Sequence, residues 1–133
     1  IQVIGIQLES IKNVKSAGER LKIFAHHHAE FVTGSPELAG LIQLEIRQSN
    51  KFMTDYDNRK FREFLNIVAD TVKYGQEKGE FRSDVNVHMV KQAVFGGLDE
   101  ICQQWLFKPE GKHFDLLKAC DGFMDILVKG LTV

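Results

Sequence analysis

At 133 residues the chain is long enough for one domain with a sizeable core. Hydrophobic residues at 44%, charged residues at 26% and a formal net charge of −1 describe an ordinary globular protein, without the basic excess that neutralises nucleic-acid phosphates. No apolar run reaches the roughly 20 residues of a membrane span and no signal-peptide pattern opens the chain; the two cysteines, read as free thiols, make a reducing cytoplasm the expected compartment.

Ile1, Ile4, Leu8 and Ile11 already follow a helical stripe, with no N-cap ahead of them. Residues 1–14 therefore read as the back half of a helix entered from a preceding segment; the alternative is a fragment cut at an arbitrary point. Ser16, with Glu19 three residues on, is a capping box. It opens a second helix to about Thr33, with Leu21, Phe24, His28, Phe31 and Val32 on its apolar face. Ser35-Pro36 restarts the chain as N-cap and first helical residue of a third helix, to about Thr54. Leu38, Leu41, Ile42, Phe52 and Met53 define its apolar arc, from which Glu45, Gln48 and Ser49 also project. Polar groups need partners where water is scarce. Glu45 reads first as part of a structural network; Gln48 and Ser49 read equally as network members and as the polar spot of a ligand cavity. Arg47 falls on the opposite, polar side with Gln43 and Lys51. Asp57 caps a fourth helix to about Lys78, striped by Phe61, Phe64, Leu65, Val68, Val72 and Gly75, with Gly79 as its C-terminal stop.

Asn86 then caps the helix around which the chain is organised, Val87–Phe107. Val87, Val90, Val94, Leu98, Ile101 and Trp105 share one face, and His88, Gln92, Gly96, Asp99 and Gln103 the other. The second face is too poor in Lys and Glu for an ordinary solvent face. Gly96-Gly97 costs roughly 1 kcal/mol per glycine relative to alanine, which predicts that a ligand or another helix comes close to the backbone. Pro109 and Gly111 separate this helix from the last one, about Phe114–Leu131. There Leu116, Leu117, Ala119, Cys120, Phe123, Met124, Ile126, Leu127, Val128 and Leu131 cover more than half the circumference. A surface helix needs a stripe only a little over ~100° wide. The excess predicts burial against a second copy, the last two helices of each chain forming a four-helix dimer interface; the alternative is a helix deep in a monomer core. Cys102 and Cys120 lie within these apolar patterns and read as buried free thiols. No strand alternation is evident, and the fold class is all-α.

His26-His27-His28 invites a metal, but consecutive helical residues point ~100° apart and only Glu30 stands at chelating distance from His26. No metal site is expected. Neither is an enzyme: there is no nucleophile elbow, P-loop or dinucleotide fingerprint, and Asp99-Glu100 and Asp55/Asp57 read as surface and capping residues. No catalytic residue can be named.

LIQLEIRQSN at 41–50 and GEFRSDVNVHMVKQAVFGGLDEICQQWLF at 79–107 resemble the C-terminal domain of TetR-family transcriptional repressors. The combination of EIRQSN, FGGLDE and a following tryptophan is similar, more narrowly, to the branch that controls fatty-acid degradation and responds to long-chain acyl-CoA. The resemblance implies a domain of five to six helices, the last two building the dimer interface of a homodimer. Residues 1–14 would be the end of a connector from a missing N-terminal helix-turn-helix domain, which would contact DNA in place of this chain. No cofactor is implied. The effector would be long-chain acyl-CoA, its chain lined by Phe24, His28, Leu41, Leu44, Gln48, Phe64, Val68, Phe95 and Leu98. Arg47, Lys51, Arg59 and Arg62 are the candidates for the anionic CoA head, since guanidinium groups pair phosphates in a fork. Gln92, Gly96, Asp99, Gln103, Leu116, Phe123 and Leu127 would face the second copy. Two other readings stay open: a regulator sensing a different apolar small molecule, and a ligand-free helical dimerisation module.

Overall fold

The structure is a computed structural model and describes residue 5 and residues 9–43, 59–108 and 114–133. Four helices carry the architecture: α1 (Ala17–Gly34), α2 (Arg59–Lys78), α3 (Val87–Leu106) and α4 (Leu116–Leu131). A helical stretch, 36–43, follows α1 directly. The helices form a ring in chain order, with α4 returning to α1, and α1 and α3 also meet across the middle. The all-α expectation holds; among the described residues the one strand-like feature is an antiparallel bridge between Phe81 and Thr132.

Local chemistry sets most of the helix ends. Ser16 is extended (φ −76°, ψ 126°) and its hydroxyl accepts from Glu19 N–H at 3.2 Å. The next donors are met from elsewhere in the chain: the Glu80 carboxylate accepts from Ala17 N–H at 2.8 Å, Gly18 N–H at 2.9 Å and the Ser16 hydroxyl at 2.9 Å. The turn after α2 thus caps α1. α2 stops at Gly79, which takes φ +83° without the steric cost of a Cβ. That lets the Gly75 carbonyl accept from both Glu80 N–H and Phe81 N–H. The Asn86 side chain accepts from His88 N–H and Met89 N–H to start α3, and Asp115 accepts from Lys118 N–H to start α4. Arg82 N–H donating to Leu131 O (2.8 Å) and Val133 N–H donating to Glu80 O (3.0 Å) stitch the chain end to the same turn.

The core lies inside the ring. α1 contributes Leu21, Phe24, Ala25, Ala29 and Val32; α2 gives Ile67, Val68 and Val72; α3 gives Val90, Val94, Leu98 and Cys102; and α4 gives Leu116, Cys120, Met124, Val128 and Leu131. Both cysteines are buried free thiols. Three glycines, Gly18, Gly75 and Gly97, permit close approach of other parts of the chain. A Cβ at Gly75 would lie 2.4 Å from the Phe81 ring, and one at Gly97 2.3 Å from the Phe123 ring. Gly97 therefore exists for another helix of the same chain, whereas Gly96 faces open space. Opposite the core, α4 exposes Gly122, Gly130 and Ile126, the last at 74%.

One assignment to a partner-facing position is corrected here. Leu116 is only 2% exposed and belongs to the chain's own core, because it shares a helical face with Cys120 and Met124.

Candidate functional site

α1 places Phe24 and His28 one turn apart on the same face, and α2 does the same with Phe64 and Val68. The two pairs meet. Phe24 and Phe64 have centroids 5.0 Å apart at 42°, and His28 and Phe64 5.6 Å apart at 48°, tilted geometries that suit the ring quadrupoles. Phe24, Val68 and Leu98 lie deep in the core cluster, with Phe64 packed partly buried against it. Phe95 is half-buried on α3. Leu41 stands apart from this cluster at 64% exposure on the 36–43 stretch, beside the exposed Leu38 and Ile42. The structure thus brings Phe24, His28 and Phe64 together as an aromatic centre, with Val68 and Leu98 in the same core.

Leu44, Gln48, Arg47 and Lys51 lie outside the described residues, as does the side chain of Arg59; Arg62 is exposed near the start of α2. Glu45 and Ser49 fall outside them too.

His28 is the polar member of the centre. Its Nδ1 is shut off from solvent and has no hydrogen-bond partner among the described residues. Burial lowers its pKa to about 4, so the ring is neutral at neutral pH and offers one N–H donor and one acceptor.

A second concavity opens on the outside, a cleft of about 460 Å³ between α1 and α4, lined by Lys22, Ile23, His26, His27, Asp121 and Asp125. Its polar groups have partners: His26 Nδ1 lies 3.2 Å from Asp121 and Lys22 3.3 Å from Asp125, which Lys129, outside the lining, also approaches at 3.1 Å. Among the described residues no group of three or more His, Cys, Asp or Glu could hold a metal ion, and no helix is long and apolar enough to cross a membrane.

The proposed partner-facing residues separate by position. Gln92 and Gly96 are exposed on α3, while Asp99 and Gln103 are half-buried there. Phe123 and Leu127 are half-buried on α4, Phe123 against Gly97 of its own chain. Two residues escaped the sequence reading. Ile126 was one apolar residue among many in the last helix, and only the fold shows that it points away from the core. Glu80 was visible in the GEFRSD segment, but nothing local indicates that it caps a helix more than sixty residues earlier.

Comparison with known proteins adds four findings. A family model of TetR C-terminal domains, described as YsiA-like protein, C-terminal region, matches residues 2–130. The chain is 29% identical over 123 residues to the fatty acid metabolism regulator protein of Bacillus subtilis (strain 168), covering 92% of this chain and 62% of that protein's length. It superposes on the crystal structure of the transcriptional regulator FadR from Bacillus subtilis in complex with stearoyl-CoA with a TM-score of 0.85 and 29% identity, over 98% of this chain and 69% of that one. The fatty acid degradation regulator FadR from Bacillus halodurans gives a TM-score of 0.84 and 28% identity, over 98% and 66%.

Proposed function

Because the chain belongs to the TetR C-terminal-domain family described as YsiA-like protein, C-terminal region, we propose that it is the effector-sensing and dimerisation part of a repressor of fatty-acid degradation genes, released from DNA when long-chain acyl-CoA binds. The observation that carries this reading is the agreement of nearly the whole chain with a regulator solved holding stearoyl-CoA. The aromatic centre suits such a ligand. Each buried methylene contributes roughly 0.8 kcal/mol, so an acyl chain between α1, α2 and α3 gains affinity without polar contacts. On this reading Phe24, His28, Leu41, Leu44, Gln48, Phe64, Val68, Phe95 and Leu98 line the chain's path. Arg47, Lys51, Arg59 and Arg62 take the anionic head.

The reading assigns DNA recognition to a helix-turn-helix domain ahead of residue 1, with residues 1–14 as the end of the connector, and places the protein in the cytoplasm as a homodimer. It gives the chain no catalytic role, in keeping with relatives that are regulators. Release from DNA is then a population shift: acyl-CoA binds the DNA-incompetent arrangement more tightly and draws the dimer into it. Native mass spectrometry with oleoyl-CoA and oleate tests the assignment. The expected result is a dimer that takes up about one acyl-CoA per subunit, with oleate bound much more weakly. A dimer that ignores oleoyl-CoA overturns it.

A further inference from the structure

We propose that His28 is the residue that reads the thioester, its Nδ1–H donating a hydrogen bond to the carbonyl of the bound acyl-CoA; the inference rests on the acyl-CoA reading above. Nδ1 is a polar atom closed off from water, beside the Phe64 ring and one turn from Phe24, with no partner among the described residues. An unsatisfied buried donor or acceptor carries a desolvation penalty that a methylene passing over it would leave in place. A carbonyl removes it. In an acyl-CoA the first acceptor met on leaving the apolar chain is the thioester oxygen, so a lone polar atom beside an aromatic ring matches that junction. A histidine held neutral by burial retains a single N–H, enough for one carbonyl and without the charge that would draw phosphate into the apolar centre. The same contact fixes depth, because it sets where the polar head must begin relative to Phe24.

The test compares stearoyl-CoA with its thioether counterpart, in which a methylene replaces the carbonyl, on wild type, His28→Leu and His28→Asn. Isothermal titration of the wild-type protein is expected to give roughly tenfold tighter binding of the thioester. His28→Leu is expected to bind both ligands alike, at about the wild-type thioether affinity, which also shows that the variant is folded. His28→Asn, whose amide nitrogen falls near the position of Nδ1, is expected to restore the preference. Equal wild-type affinities, or a preference that survives in His28→Leu, overturn the assignment of His28 while leaving acyl-CoA as effector. Failure of wild type to bind either ligand overturns both. Should His28→Leu not fold, the ¹⁵N shifts of the His28 ring in wild type decide: a change at Nδ1 with the thioester and none with the thioether supports the contact, and no difference between the two ligands refutes it.

Discussion

Glu80 concentrates more of the fold than any other polar side chain described here. Its carboxylate holds the first two N–H groups of α1 and the Ser16 hydroxyl, where the positive end of the helix dipole favours an anion. Burial pushes the carboxyl pKa up, but the hydrogen bonds from Gly18, Ala17 and Ser16, with the Lys78 charge, outweigh it and leave the pKa below the ordinary value. A carboxyl depressed by folding contributes stability above its unfolded pKa and loses it as pH falls through the folded one. His28 is lowered as well, to about 4, and for a histidine that also means stability lost in acid, here between about pH 6.5 and 4. Urea titrations should therefore show stability falling in two stages below neutrality. Glu80→Gln should remove the lower stage and cost about 1–2 kcal/mol at pH 7. His28→Leu should remove the upper stage. A Glu80→Gln protein whose stability still falls below pH 4.5 as steeply as wild type would show that other carboxylates dominate.

At the scale of helices, the glycine pair in α3 separates two roles that composition cannot. Alanine is favoured over glycine by roughly 1 kcal/mol in a helix interior, so both replacements gain equally from propensity. Packing then decides. A Cβ at Gly97 would meet the Phe123 ring at 2.3 Å, whereas one at Gly96 meets nothing within the chain. Forcing a methyl into packed helices costs typically 1–3 kcal/mol. Gly97→Ala is expected to lower the unfolding midpoint, and Gly96→Ala to leave the fold as stable or slightly more so, by thermal or urea denaturation; the reverse order would mean that α3 and α4 meet differently. The same pair marks the limit of what the residues reveal by themselves. The start at Asn86, the Ser16–Glu19 half of the start of α1 and the stop at Gly79 rest on contacts within six residues, and these chemical signals are readable in one dimension. Whether Gly97 serves a ligand or a helix depends on Phe123, twenty-six positions away, and that is not. Leu116 shows the complementary limit. Apolarity identifies it as buried, but only its turn on α4 decides that it is buried by its own chain. Most of the aromatic centre was legible because Phe24, His28, Phe64 and Val68 keep helical phase, while Leu44, Gln48, Arg47 and Lys51 lie outside the described residues.

For the whole molecule, the helical ring has two ends with different duties. One end is tied to the segment just ahead of α1. Tyr74 OH donates to Lys15 O at 2.7 Å, Lys78 donates to the same oxygen, and Arg20 donates to Val14 O while its guanidinium stacks 4.0 Å above the Tyr74 ring. The other is the outer face of α3 and α4, where α3 exposes Gln92 and Gly96 and α4 exposes a strip of Gly122, Ile126 and Gly130, all of them uncharged. The reading of this chain as a homodimer needs that strip to be self-complementary, since a two-fold axis sets each patch against itself. Ile126, 74% exposed, is its largest apolar projection, and small residues on either side let a second pair of helices come close. A glutamate at 126 would bring two like charges together across the axis and leave both desolvated, a cost of several kcal/mol. It would not touch the core, because Ile126 points away from Cys120, Met124 and Val128. Ile126→Glu is thus expected to weaken the dimer at least a hundredfold in sedimentation equilibrium while circular dichroism keeps its helical signal. Lys118→Gln, which makes the charge more negative by the same single unit on the polar side of the same helix, is expected to leave the dimer intact. If both variants remain dimeric at low micromolar concentration, the second copy docks elsewhere, and the coupling of acyl-CoA to paired DNA heads has to run through a different face.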